Sequence, residues 1–133
     1  MGSDDNIAPI LREGGPKQSR PPAVLQVVPS LVSGGVERGT IDLAGALVAA
    51  GWTAYVASAG GPMERELVRT GATHLQLPLA SKNPLVIRRN TAALVDIILR
   101  FRIDLVHARS RAPAWSAWSA ARNEPMIIEQ YEF

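Results

Sequence analysis

The chain has 133 residues, a net charge of +2 from 14 basic and 12 acidic side chains, and no cysteine. That length supplies one hydrophobic core, not two. The small charge excess excludes the concentrated basic face of a nucleic-acid binder, the missing thiols exclude a disulfide scaffold or thiolate metal site, and no apolar stretch approaches the roughly 18 to 20 residues that span a bilayer.

The first residues, MGSDDN, are acidic with no apolar run behind them, so they do not read as a secretory signal, and a cytoplasmic location is the default. Residues 1–22 carry Gly14-Gly15-Pro16, Pro21-Pro22 and charges of both signs with little apolar periodicity, the texture of a flexible leader. Residues 23–133 form the folded domain. A strand is expected over 23–28, then a helix over 36–50 closed by Gly51, with Val36, Thr40, Leu43 and Leu47 on one stripe. Trp52 to Ser58 read as the second strand, Gly60-Gly61-Pro62 as a sharp loop, and a short helix starts at Met63 and stops at Gly71. Thr73 to Leu77 form the third strand. Asn83-Pro84 is a strong helix start, because Asn caps and Pro suits the first turn. That third helix runs to Arg102, burying Leu85, Ile87, Leu94, Val95, Ile98 and Phe101. A fourth strand over Ile103 to His107, a fourth helix over Pro113 to Arg122 and a fifth strand near Met126 to Ile128 complete the pattern.

Strands alternating with helices require right-handed crossovers, hence an α/β, Rossmann-like, doubly wound parallel sheet of about five strands in the order 3-2-1-4-5. Ligands in such sheets lie at the carboxyl ends of the strands beside the switch point, here between strands one and four. The loops to watch are 29–35 and 108–112.

Gly34 and Gly35 end the first of these loops and open a helix. Without Cβ atoms they let an anion approach the backbone N–H groups and the positive end of the helix dipole. The same pair also fits a tight turn packed against the sheet. Neither GxGxxG nor GxxxxGK[ST] is present, so a dinucleotide site and a P-loop lack their defining residues. His107, Arg109 and Arg111 surround the second loop. His107 suits a packed, hydrogen-bonded strand residue, whereas Arg109 and Arg111 can attract an acidic acceptor or simply face solvent. Arg88, Arg89 and Asn90 lie on the third helix, where a basic face can rest on anionic lipid or remain solvated. Trp115 and Trp118 are spaced as a core stripe.

The segments VLQVVPSLVSGGVERGTIDLAGALVAAGWTAYVAS, GGPMERELVRTGATHLQLPL and DLVHARSRAPAW resemble the N-terminal domain of glycosyltransferase family 4, retaining enzymes of the GT-B fold. The resemblance covers about residues 23–122. It implies two Rossmann-like domains across a cleft, the N-terminal one holding the acceptor and the other holding a nucleotide-sugar donor through an EX7E motif. It also makes Gly34 and Gly35 the donor phosphate-facing residues, and His107, Arg109 and Arg111 acceptor-side candidates. The expected acceptors are envelope polysaccharide or lipid-linked, with peripheral contact at the inner membrane face, and neither a cofactor nor a metal ion is expected.

Two departures qualify that resemblance. The fifth strand of the family ends in a motif like TFHG with a catalytic histidine, whereas here Met126 to Phe133 carries no histidine and Tyr131 stands near its place. No EX7E-bearing donor domain follows, so the ending reads as a truncation, a frame change or the edge of a longer chain. Half a cleft cannot hold donor, acceptor and leaving diphosphate together, so the isolated chain is expected to have negligible turnover. A non-catalytic binding or interaction module on the same scaffold is the competing reading. An epimerase or dehydrogenase fragment is disfavoured by the absent GxGxxG and by Tyr55-Val56-Ala57-Ser58, which offers no acidic residue at the end of strand two.

Overall fold

The computed structural model describes residues 20–31, 35–109 and 126–129. In chain order the elements are β1 (Ala23–Val27), α1 (Gly35–Ala49), β2 (Thr53–Ser58), α2 (Glu64–Arg69), β3 (Thr73–Gln76), α3 (Pro84–Arg100), β4 (Leu105–Ala108) and β5 (Met126–Glu129). The five strands form one parallel sheet in the order β3-β2-β1-β4-β5, as the alternation of strands and helices requires. Val24 lies opposite Ala54 on one side and Leu105 on the other, and Val106 lies opposite Ile127. The expected helix over 113–122, with Trp115 and Trp118, and the leader over residues 1–19 lie outside the described residues.

Alternation along the strands divides the core. Val28, Ala54 and Val56 meet Leu31, Ile41, Ala44 and Leu67 on the face covered by α1 and α2. Leu25, Val27 and Ala57 meet Leu94, Ile98 and Val106 on the opposite face, under α3. Tyr55 and Phe101 add a tilted ring pair there, with centroids 4.9 Å apart. The helices therefore change sides between β1 and β4, which puts the switch point where the sequence pattern places it.

Local chemistry explains the element ends. Asn83 caps α3 by accepting the Leu85 N–H at 2.9 Å, with Pro84 in the first turn. Helix α1 ends in a Schellman turn: the Trp52 N–H reaches the Leu47 carbonyl at 2.9 Å, and Gly51 takes φ 88°. Trp52 is therefore part of the helix stop, not of β2, and is exposed. Helix α3 ends the same way, with the Ile103 N–H on the Ile98 carbonyl at 3.0 Å, but the left-handed residue is Arg102 at φ 54°. That turn takes up Ile103, so β4 starts at Leu105.

One packing expectation changes: Leu85 is 64% exposed in the first turn of α3. In α1 the stripe widens toward the sheet through Ile41, Ala44 and Val48, as the sequence suggests; Thr40, Ile41 and Ala44 are its buried centre, with Val36, Leu47 and Val48 flanking it and Leu43 half-buried. At the start of the chain's described part, Asp104 accepts the Ala23 N–H at 2.8 Å and pairs with Arg20 at 3.3 Å. Arg20, within the stretch read as leader, is thus tied to the sheet.

Candidate functional site

Beyond Val27 the first strand continues to pair as it leaves the sheet. The Val28 N–H bonds the Ala57 carbonyl at 3.1 Å, the Ala59 N–H bonds Pro29 at 2.9 Å, and the Leu31 N–H bonds Gly60 at 2.9 Å. Leu31 itself is fully buried. These bonds deliver the chain to the carboxyl edge of the sheet at the switch point. Helix α1 then begins at Gly35, whose backbone is exposed and where a Cβ would meet none of the described residues within 4 Å. Gly35 is not among the glycines of positive φ. Among the described residues, neither close packing nor backbone conformation demands a glycine here. Gly34 lies outside the described residues.

The first turns of α1 are held from beneath. Gln26, fully buried in the middle of β1, donates from Nε2 to the Thr40 carbonyl at 3.0 Å, and Thr40 donates from its hydroxyl to Val36 at 2.8 Å. Gln26 was hidden in what reads as a continuous apolar strand, and its Oε1 is buried with no hydrogen-bond partner. A second tie joins α1 to α2, where Arg38 meets Glu66 at 2.5 Å. The hydrogen bond that Arg38 donates to the Glu66 carboxylate raises the Arg38 pKa above its ordinary value. Arg38 of the GGVER motif therefore serves helix packing.

His107 lies within β4, opposite Gln26 on β1 and Ile128 on β5, and is half-buried. It shares the α1 side of the sheet with Gln26. Arg109 follows the strand, its N–H bonded to the Val27 carbonyl at 2.9 Å. Its guanidinium is tucked against α1 instead of reaching out along the loop: Nη1 lies 3.1 Å from where a Cβ on Gly39 would stand. Gly39 is the residue the sequence reading missed, and the signal was present as the second glycine spacing in GGVERG. Gly35 and Gly39 are one turn apart on a single helix face, so the structure brings the open helix start and a cation together. Arg111 and Tyr131 lie outside the described residues. Arg88 and Arg89 are exposed on α3, but Asn90 is buried and donates to the Pro78 carbonyl at 3.0 Å, a packing role.

Among the described residues no group of three or more His, Asp or Glu could hold a metal ion, and no helix is long and apolar enough to cross a membrane. Two surface depressions lie away from Gly35. One of 480 Å³ flanks α2 between Gly61 and Arg69, and one of 300 Å³ lies at the amino ends of the strands beside Arg20, Tyr55 and Arg102.

The sequence profile described as Glycosyltransferase Family 4 matches residues 33–129, well over half of the chain. The chain belongs to glycosyltransferase family 4. The chain is also similar to the crystal structure of a glycosyltransferase from Rickettsia africae ESF-5, at 42% identity and a TM-score of 0.69. The match covers 85% of this family-4 chain and 30% of the Rickettsia protein, so this chain spans less than a third of that structure's length. No curated protein matches the chain.

Proposed function

We propose that this chain forms the N-terminal, acceptor-side half of a retaining glycosyltransferase that moves a sugar from a nucleotide-sugar donor to an envelope polysaccharide or lipid-linked acceptor. In this reading the donor diphosphate lies against Gly35, with Gly34 joining it on sequence grounds. The observation that carries the proposal is the start of α1. A glycine that neither fold nor backbone requires stands exposed where the first-turn N–H groups and the positive end of the dipole favour an anion. These groups would stabilise charge gathering on the departing nucleotide.

In this reading His107 and Arg109 serve the acceptor side of the cleft, with Arg111 joining them on sequence grounds, and exposed Arg88 and Arg89 offer a shallow cationic face to an anionic lipid surface. The remaining donor contacts come from a second Rossmann-like domain, as family resemblance implies, and without that domain turnover is negligible.

The test is an NMR titration of the isotope-labelled chain with UDP and GDP. Weak binding that shifts the Gly35 and Val36 amides, and is lost in Gly35→Ala with the fold intact, is the expected result. Unmoved Gly35 and Val36 at millimolar nucleotide, or an equal response in Gly35→Ala, would leave the glycines as a simple turn and favour a non-catalytic interaction module.

A further inference from the structure

Ser58 ends β2 and His74 is the second residue of β3, and both project to the side of the sheet covered by α1 and α2. Ser58 Oγ lies 2.6 Å from His74 Nε2, and His74 Nδ1 lies 3.4 Å from Glu64 Oε2 on α2. The order hydroxyl, imidazole, carboxylate is that of a nucleophilic triad, but this hydroxyl is not a nucleophile. Ser58 is closed to solvent, and its oxygen already accepts the Gly60 N–H at 2.9 Å. A buried hydroxyl hydrogen needs an acceptor. His74 Nε2 supplies one, which assigns the ring proton to Nδ1, facing Glu64. Ser58 thus links the His74 ring to the Gly60 N–H by two hydrogen bonds, and Glu64 stands at ion-pair distance from the ring's other nitrogen, completing a relay that ends on Gly60.

That peptide is the anchor of the loop before α1. Gly60 adopts φ 88°, and a Cβ there would stand 3.0 Å from Glu64 Oε1 and 3.1 Å from Gln76 Oε1, so the turn is packed under the relay. Gln76 steadies it from the other side, donating to the Ala59 carbonyl at 2.6 Å. From this turn the Gly60 carbonyl accepts the Leu31 N–H, and the Met63 N–H returns to the Leu31 carbonyl at 3.0 Å. Leu31 is therefore gripped through both of its backbone groups, four residues before Gly35.

We propose that Ser58, His74 and Glu64 are positioning residues that hold Leu31, four residues before Gly35, so that the start of α1 meets an anionic ligand in one prearranged place. The ligand part rests on the reading of Gly35 as diphosphate-facing; the grip on Leu31 does not. A backbone anchored before binding spends less of the binding energy on being ordered.

Amide hydrogen exchange on the 133-residue chain, without ligand, tests the grip. Ser58→Ala and His74→Leu accelerate exchange at Leu31 and Ala59 about tenfold, the scale of one lost hydrogen bond, while Leu25 and Val56 in the central strands change far less. His74→Gln, which keeps an acceptor near the Nε2 position, restores most of the protection. Glu64→Ala, on the partly exposed end of the relay, gives a smaller acceleration at the same amides and stands in if Ser58→Ala does not fold. Exchange that is unchanged at Leu31, or that rises equally at Leu25 and Val56, overturns the proposal. A UDP titration then separates the two readings. A Gly35 shift in the parent that weakens in His74→Leu and returns in His74→Gln supports positioning, and a shift equal in all variants overturns it. Selective loosening of Leu31 with no UDP response in any variant overturns the diphosphate reading and leaves the relay standing.

Discussion

The two faces of the sheet are built from different materials. Under α3 the buried contacts are mostly aliphatic and aromatic, with Leu25, Val27, Leu94, Ile98 and the Tyr55–Phe101 pair doing the packing and Asn90 bonded to the Pro78 carbonyl. Under α1 and α2 the same sheet carries Gln26, Ser58, His74, His107 and the guanidinium of Arg109, alongside an apolar cluster that includes Val28, Ala54 and Val56. Buried polar groups contribute less than well-packed carbon and are costly when unmatched. Both sides of the sheet therefore supply core, and the side that leads up to Gly35 combines it with more polar groups.

The largest expected effect comes from the carbon face. Leu94→Ala removes a side chain that is 4% exposed and leaves a cavity against Leu25 and Ile98. It is expected to cost about 2–5 kcal/mol in denaturant unfolding, while the Gly35 amide keeps its position in the NMR spectrum. A large displacement of Gly35 would show that the faces are not separable. Asn83→Ala, which removes the cap of α3, is expected to cost about 1 kcal/mol by the same measurement, again with Gly35 unmoved.

The polar face gives the opposite pairing of effects. Gln26→Leu removes a buried carbonyl oxygen that has no partner together with one amide bond to Thr40, whose carbonyl lies within a helix. Replacing a half-satisfied polar group by carbon of similar size is expected to leave unfolding stability within about 1 kcal/mol of the parent. The first turns of α1 then lose their tie to β1, and amide exchange around Val36 and Thr40 quickens. If stability instead fell by several kcal/mol, Gln26 would be a structural residue and the division of labour between faces would fail.

Most of the architecture was legible because it follows from local rules. Apolar runs separated by amphipathic helices require the crossovers that set the strand order, and Asn83-Pro84, Gly51 and Gly71 mark helix ends by conformation alone. Of the residues read as donor-facing, Gly35 stands exposed at the start of α1 and Gly34 lies outside the described residues. Gln26 was concealed because a continuous apolar strand gives no hint of which position faces a helix carbonyl, and Ser58 and His74 are 16 residues apart, joined only once β2 and β3 pair. Gly39 was visible as a letter but not as a slot, since its meaning comes from Arg109, 70 residues later in the chain and brought to α1 only when β4 pairs with β1. Leu85 failed for the converse reason: helical periodicity assigns a face, but not where the sheet beneath it ends.

The smallest effects isolate backbone from ligand. Arg102 occupies a left-handed position, φ 54°, at the end of α3, where an L side chain costs about 1–2 kcal/mol relative to glycine. Arg102→Gly relieves that strain but frees the unfolded chain, an opposing term of about 0.4–1 kcal/mol. A net gain below about 1 kcal/mol is therefore expected in thermal unfolding. Gly35 is the mirror case, a glycine without left-handed backbone or crowded surroundings. Gly35→Ala is expected to raise unfolding stability by a few tenths to about 1 kcal/mol, because alanine restricts the unfolded chain and its methyl group meets none of the described residues. A substitution that stabilises the chain and still abolishes the UDP response locates the reason for the glycine outside the fold; one that destabilises it puts that reason back in the packing of α1.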